Sequence, residues 1–297
     1  MGSCVDESAC TFVSSRGLLK SCDVRNPNPV SSSPFLDSTI YGKIKDRQIV
    51  YLCTEAILPF FRDYFPTLQC RIVVVSGDSD MTFPNDVFAA HVLENLLNDS
   101  RILHWYAQNC TIVHSKVTQI PIGLDYHTVA AGDHPWSPQK TPQQQEAEVL
   151  AFSKIQPNLA LREQRAYGNF LLNISRGNRK EAFERLPTEL IVYEKGFVRR
   201  GETWWKQATC AFTISPHGNG LDCHRTWETL ALGGIPVVQT SCLDSLYGDL
   251  PVLILKDWNE FTGEKMQDFI LESQARTVNT DRLYLKFWID LIKKSCV

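Results

Sequence analysis

The stretch at residues 212–238, FTISPHGNGLDCHRTWETLALGGIPVV, carries the densest set of residues suited to chemistry. Gly218 and Gly220, on either side of Asn219, let the backbone approach a ligand closely. Asp222 stands where it can cap a following helix, whose free N–H groups form an anion site. Arg225 and Glu228 are three apart and so share a helix face. A cation in the first turn suits a phosphate, and a carboxylate one turn later can accept hydrogen bonds from ribose hydroxyls. That arrangement fits a nucleoside diphosphate lying across a helix N-terminus. It equally fits a turn glycine pair followed by a surface ion pair, worth under about 1 kcal/mol. His217 sits in the same turn, within reach of a phosphate or a sugar.

Other candidates lie elsewhere. Arg176 and Arg179 follow an apolar run, and arginine forks suit a diphosphate; a solvated helix start is the plain alternative. Asp78 and Asp80 follow a second apolar run as D-x-D. Two carboxylates at that spacing suit Mg²⁺ or Mn²⁺, one of them suits a general base, and a polar turn needs neither. Asp125 and His127 follow the turn Pro121-Ile122-Gly123, as an alternative base or as satisfied loop residues. Trp204 and Trp205 read as core or interface, and Leu283, Phe287, Trp288 and Leu291 as the packing stripe of a last helix.

These residues need a scaffold, and the pattern is one of short apolar runs alternating with amphipathic stretches. Residues 49–53 (IVYLC), 72–75, 101–106 and 117–120 read as strands, with helices over 55–64, despite Pro59, and over 85–97, opened by Pro84. Residues 130–147 hold Pro135, Pro138, Pro142 and three consecutive glutamines, a linker running into a polar helix through Arg165. The alternation resumes with strands over 170–174 (FLLNI), 190–193, 210–214, 235–238 and 252–255. Helices fall over 179–185, 203–209 and 223–232, and two more close the chain at 259–275 and 280–294. This predicts an α/β fold of two Rossmann-like, doubly wound domains facing a cleft, with ligands at the carboxyl ends of the strands. The expected divisions are an irregular segment 1–45, an N-terminal domain 46–135, a linker and helix 136–166, a C-terminal domain 167–280 and a final helix 281–297.

Composition narrows the function. The chain has 297 residues, 43% hydrophobic and 21% charged, with a net charge of −3 and no clustered basic stretch, which argues against nucleic acid as a partner. Ten cysteines show no C-x-x-C spacing, so no zinc site is expected; a chain this long and rich in apolar runs needs no disulfide framework, and the thiols point to a reducing compartment. No segment is apolar for long enough to span a bilayer. No G-x-G-x-x-G opens a helix, which disfavours a dinucleotide-dependent oxidoreductase.

The 212–238 stretch resembles the C-terminal signature of exostosin-like glycosyltransferases: a strand, then Pro-x-Gly, an Arg, a Glu three residues on, and small-Gly-x-Ile-Pro-Val. Here these are Ser215-Pro216-His217-Gly218, Arg225, Glu228 and Gly233-Gly234-Ile235-Pro236-Val237. Residues 105–109 with 120–127, and 173–179, also look like that group, so the resemblance spans roughly 70–260. It implies a two-domain GT-B fold, a UDP-sugar donor with no obligatory cofactor or metal, inversion at the anomeric carbon and a glycan acceptor. Xylose, glucuronic acid, galactose and arabinose are the sugars it suggests, with xylose leading. On this reading Arg176, Arg179, Ser215, His217, Gly218, Asn219, Gly220, Arg225 and Glu228 hold the nucleotide-sugar. Asp80 is the favoured base that deprotonates the acceptor, with Asp78 and Asp125 as alternatives. A metal-dependent transferase using Asp78 and Asp80, and a non-catalytic nucleotide- or glycan-binding module, are the competing readings. The absence of an anchor and stem suggests a soluble, stand-alone catalytic unit in the cytoplasm, like some virus-encoded relatives; a Golgi-type lumen stays open.

Overall fold

The computed structural model describes residues 6–276 and 278–297. In the N-terminal half the strands are β1 (Gln48–Cys53), β2 (Ile72–Gly77), β3 (Ile102–Ala107) and β4 (Val117–Gln119), all parallel and adjacent in chain order. β2 is buried along its whole length, which is why its first four residues, IVVV, are continuously apolar rather than alternating. With them go α1 (Ser15–Lys20), α2 (Ser38–Tyr41), α3 (Ile57–Asp63), α4 (Ala90–Asn98) and α5 (His127–Ala131). α3 accommodates Pro59 because it lies in the first turn, where no backbone N–H is needed.

Helix α6 (Pro142–Ile155) opens on a capping box between Thr141 and Gln144, with Pro142 at its first position. It leads into β5 (Glu163–Gly168), β6 (Ile191–Tyr193), β7 (Cys210–Ile214), β8 (Ile235–Gln239) and β9 (Leu253–Leu255). These are parallel, in the order β6-β5-β7-β8-β9. The helices of this half are α7 (Arg179–Arg185), α8 (Arg200–Thr209), α9 (His224–Ala231), α10 (Asp244–Tyr247) and α11 (Gly263–Ala275), and α12 (Leu285–Lys294) ends the chain. The result is two Rossmann-like α/β units facing a cleft.

The first sheet is covered on both faces, by different means. Val50, Leu52 and Val74 pack with Phe60, Phe65, Leu93 and Leu97 from α3, α4 and their surroundings. Their neighbours Ile49, Tyr51, Val73 and Val75 point the other way, into a cluster with Val13, Leu18, Leu19, Trp288 and Ile292. That second face is therefore covered by the two ends of the chain. α12 is tied there by Tyr106 Oη, which donates to Leu291 O (3.0 Å), and by Arg47 Nη1, which donates to Cys296 O (2.7 Å).

Several elements differ from expectation. The segment before residue 45 is not irregular throughout: past residues 1–5, which lie outside the described residues, it forms α1 and α2. It also pairs over long range, Val13 N–H donating to Leu283 O and Leu124 N–H to Val13 O. α4 begins at Ala90 rather than Asn85, because residues 83–88 turn to bury Phe83, Val87 and Phe88. The polar helix ends at Ile155, and Arg165 is already in β5. The run FLLNI is no strand; it is a loop beyond β5, with Leu171 and Leu172 exposed. The last helix starts at Leu285, after a turn of 3-10 helix. Among the described residues no helix is long and apolar enough to cross a membrane. The described cysteines are free thiols; Cys4 lies outside them.

Candidate functional site

In the second sheet the chain lays β6 on one side of β5 and β7 on the other. Where strand order reverses, the loops beyond the carboxyl ends diverge and leave a crevice. A cavity of about 550 Å³ lies at this place. Asn169, Leu171 and Ile174 line it from the loop after β5, and Gly218, Asn219 and Gly220 from the loop after β7. The size falls within the roughly 300–1,000 Å³ of small-molecule sites.

The loop after β7 is drawn tight by its neighbours. A Cβ on Gly218 would stand 2.7 Å from Arg179 Nη2, and one on Gly220 would stand 2.9 Å from Asn109 Nδ2 and 3.3 Å from Asp80 Oδ1. A side chain at Gly220 would thus displace Asn109 and press on Asp80 across the seam between the halves, and one at Gly218 would displace the Arg179 guanidinium. α9 begins directly after this loop, and no side chain caps its first N–H groups. Arg225, in its first turn, uses only Nε–H, toward Asn169 O (3.1 Å), and its buried Nη1 has no partner. Burial pushes the pKa of this guanidinium down, and Arg179 beside it adds to the effect. Arg179 gives Nη1–H to Leu171 O (3.3 Å) and leaves Nε unpaired. Two arginines with spare donors therefore converge at the start of α9.

The other expected ligands are placed differently. Arg176 is turned away from the cavity and bonds Asp86 (2.7 Å) and Thr82 (3.2 Å) of the N-terminal half. The Ser215 hydroxyl is buried against Thr226 Oγ1 (2.8 Å), and His217 Nδ1 meets Leu221 O (2.7 Å); both brace the loop rather than line the cavity. Asn219 Oδ1 accepts from Ser175 Oγ and Arg176 N, each at 3.3 Å. Asp222 is not the side-chain cap of α9. Its buried carboxylate accepts from Ile122 N–H (2.8 Å) and Trp227 Nε1–H (2.9 Å), and burial pushes its pKa up to about 6. It ties the loop after β4 to α9.

Helix α8 supplies a wall that sequence reasoning missed. Arg200, Thr203, Trp204 and Gln207 follow i, i+3, i+4, i+7 spacing and all face the cavity. A mixed polar and aromatic stripe at helical spacing is the signal that marks them. Arg200 stacks over Trp136 and Trp204. Its Nη2 donates to Glu228 Oε1 (2.7 Å) and to Asp125 O (2.6 Å), and Nη1 lies 3.7 Å from Asp125 Oδ2. Glu228 Oε2 takes part in no hydrogen bond among the described residues. Gln207 is 1% exposed, and its amide oxygen has no partner.

The opposite wall comes from the N-terminal half. Asp80 is exposed and lines the crevice. Asp78, buried at φ +56°, accepts from Ser31 Oγ (2.8 Å) and sits 3.4 Å from Arg16 Nε, so its charge is already met. Asp125 lies 3.3 Å from His127 Nδ1. Burial alone would push its pKa up, but His224, His127 and Arg200 together hold it well below the usual carboxylate range. Among the described residues no three His, Cys, Asp or Glu side chains gather as a ligand set for a metal ion.

No protein-family model matches this sequence, and no curated protein matches it. Among solved structures it is similar to a trehalose-6-phosphate structure from E. coli bound with UDP-2-fluoro glucose, at 12% identity and a TM-score of 0.38, over 85% of this chain and 71% of that one. It is also similar to OtsA in its apo form, at 12% identity and 0.35, over 85% and 70%. A third is AviGT4, a glycosyltransferase involved in avilamycin A biosynthesis, at 10% identity and 0.28, over 82% and 84%. Matches at this level transfer no residue roles, and the chemistry of the cleft stands on its own side chains.

Proposed function

We propose that the protein is a glycosyltransferase that moves a sugar from a UDP-sugar to a hydroxyl of a glycan acceptor. The observation that carries this reading is the start of α9, where Arg179 and Arg225, each with an unpaired donor, line a crevice that also contains Glu228. A diphosphate there would be neutralised by two guanidiniums and the free N–H groups of the helix. Charge that builds on the leaving phosphate as the glycosidic bond breaks meets the same donors, so these residues can do the work a metal ion does elsewhere. The unused Glu228 oxygen suits the ribose hydroxyls, with Arg200 holding the carboxylate in place. Asp80 lines the crevice from the facing wall, where it would flank the sugar of a bound donor. An acceptor approaching from that wall attacks opposite the leaving group, which inverts the anomeric carbon.

The test is a panel of UDP-linked xylose, glucuronic acid, galactose, arabinose and glucose, with and without chelator. Thermal stabilisation and UDP release with one donor, unchanged by chelator, are expected. Activity lost in chelator would move the chemistry to Asp78 and Asp80. No stabilisation by any nucleotide would end the transferase reading.

A further inference from the structure

A second cavity, about 190 Å³, opens off the donor crevice; Asp80, Ile122 and His224 line both. Its far wall is made of Ser15, Ser31, Asp78 and His127. Ser15 is 2% exposed, and its hydroxyl has no partner. Asp78 carries a positive φ in the loop that bounds the cavity, as does Ser32. A small space lined by hydroxyls, carboxylates and imidazoles beside a sugar-donor site is suited to one polar, hydroxyl-bearing group.

Resting on the donor reading above, we infer that this cavity receives the acceptor hydroxyl and that His127 is the general base that takes its proton. Nδ1 of His127 lies 3.3 Å from Asp125 Oδ1, off the line of a good hydrogen bond in this state. With Nδ1–H turned to Asp125, Nε2 is left as the proton acceptor. The charged and titratable groups facing the ring are Asp125, Asp78, Arg16 and His224. Burial holds the His127 pKa below the usual imidazole range, so the ring is neutral at neutral pH, and the Asp125 charge beside it favours the protonated form against that burial. Asp125 then stabilises the imidazolium that forms, the role of an acid partner beside a histidine base.

The alternatives are less well placed. Asp78 is occupied by Arg16 and Ser31. The exposed Asp80 carboxylate is oriented by no hydrogen bond among the described residues. His224 is 6.0 Å from His127, ring to ring, with Nδ1 engaged by Gly123 O (2.7 Å). It is the first residue of α9, where the positive end of the helix dipole opposes an imidazolium. In the step, His127 Nε2 takes the hydroxyl proton while the acceptor oxygen bonds to C1 of the donor sugar. The C1–O bond to the diphosphate breaks, and its electron pair leaves on the β-phosphate as UDP. The imidazolium returns its proton to water.

The experiment compares the wild type with His127→Ala and His127→Asn, the second retaining an N–H to face Asp125 and guarding against misfolding. UDP binding is followed by calorimetry, and turnover of UDP-xylose and UDP-glucose is followed by UDP release, with water or methyl xyloside as the acceptor. Both variants should bind UDP within about twofold of wild type and lose at least about 100-fold in turnover, with added imidazole restoring part of the loss in His127→Ala. Turnover within about threefold of wild type, or a loss that imidazole does not touch, overturns the assignment. So does a wild type that binds UDP and turns over neither donor. Failure of the wild type to bind UDP at all is a separate result, and it defeats the donor reading itself.

Discussion

In the C-terminal sheet the chain places β6 and β7 on opposite sides of β5; in the N-terminal sheet each strand is laid on the same side of the one before. Only the first pattern has a reversal, and only there does the topology open a crevice by itself. The C-terminal half thus lines most of the crevice with its own loops and helices, and Asp80, Ile122 and Asp125 close it from the other half. The N-terminal half contributes a wall made of the loops after β2 and β4, and of the chain's beginning, which supplies Ser15, Arg16 and Ser31. The crevice at the second sheet follows from the topology of one half, whereas the facing wall depends on long-range assembly.

The comparison is tested first at the seam. Arg200 belongs to α8 yet joins Asp125 of the other half to Glu228 of α9, and its side chain is only 10% exposed. Arg200→Met should leave Glu228 uncompensated and Asp125 with one partner fewer, and cost roughly 3 kcal/mol in urea unfolding. A loss under about 1 kcal/mol would class the contact with surface pairs and leave the halves independent of it.

The N-terminal wall has its own weak point. Glu7 is buried, bonded by Ser14 Oγ (2.7 Å), and burial pushes its pKa from 4.5 up to about 7. A raised carboxyl pKa means the folded state binds the proton more tightly. The stability it gives is complete below about pH 4.5 and is lost as pH rises through about 7. Glu7→Gln stays neutral, so its stability relative to wild type should grow by roughly 3 kcal/mol between about pH 4.5 and 8. A difference that stays flat across this range would show that the chain's beginning is not held as tightly as its burial implies.

The same division explains what could be read from the sequence. The elements around residues 212–238 were legible because glycines and short aliphatic runs mark the ends and cores of parallel strands. β5 was not: it starts with Glu163, Gln164 and Arg165, while the apolar run beside it lines the cleft mouth. The segment before residue 45 has no legible period because α1 is short and its place is set by pairing with Leu124 and Leu283. Within the site, Arg179, Arg225 and Glu228 line the crevice, but Arg176 finds Asp86, a partner ninety residues away. Side-chain direction of that kind is decided by tertiary packing. Arg200 and Gln207 lie in a helix whose sequence marks only its amphipathic face.

Arg225→Met sharpens the claim that the C-terminal half holds the donor. The charge-assisted bonds it would make to a diphosphate contribute about 1.5–3 kcal/mol, so UDP affinity should drop roughly 10- to 200-fold with little change in melting temperature. Affinity within about threefold of wild type would assign the anion site to Arg179 alone.

Gln207 gives the smallest and most selective effect. Its amide oxygen is buried on the cavity wall without a hydrogen bond among the described residues, an arrangement that costs free energy in the unliganded fold. A ligand edge with both a donor and an acceptor, as a uracil ring presents, would satisfy it. Gln207→Leu keeps the bulk and removes the unmet polarity, so unfolding stability should hold or rise by up to about 1 kcal/mol. UDP affinity should fall about 5- to 10-fold in the same variant. Opposite signs in the two measurements are what a ligand-facing amide requires. A parallel loss of both would mean that the amide is satisfied within the fold, and no change in either would remove α8 from the binding wall.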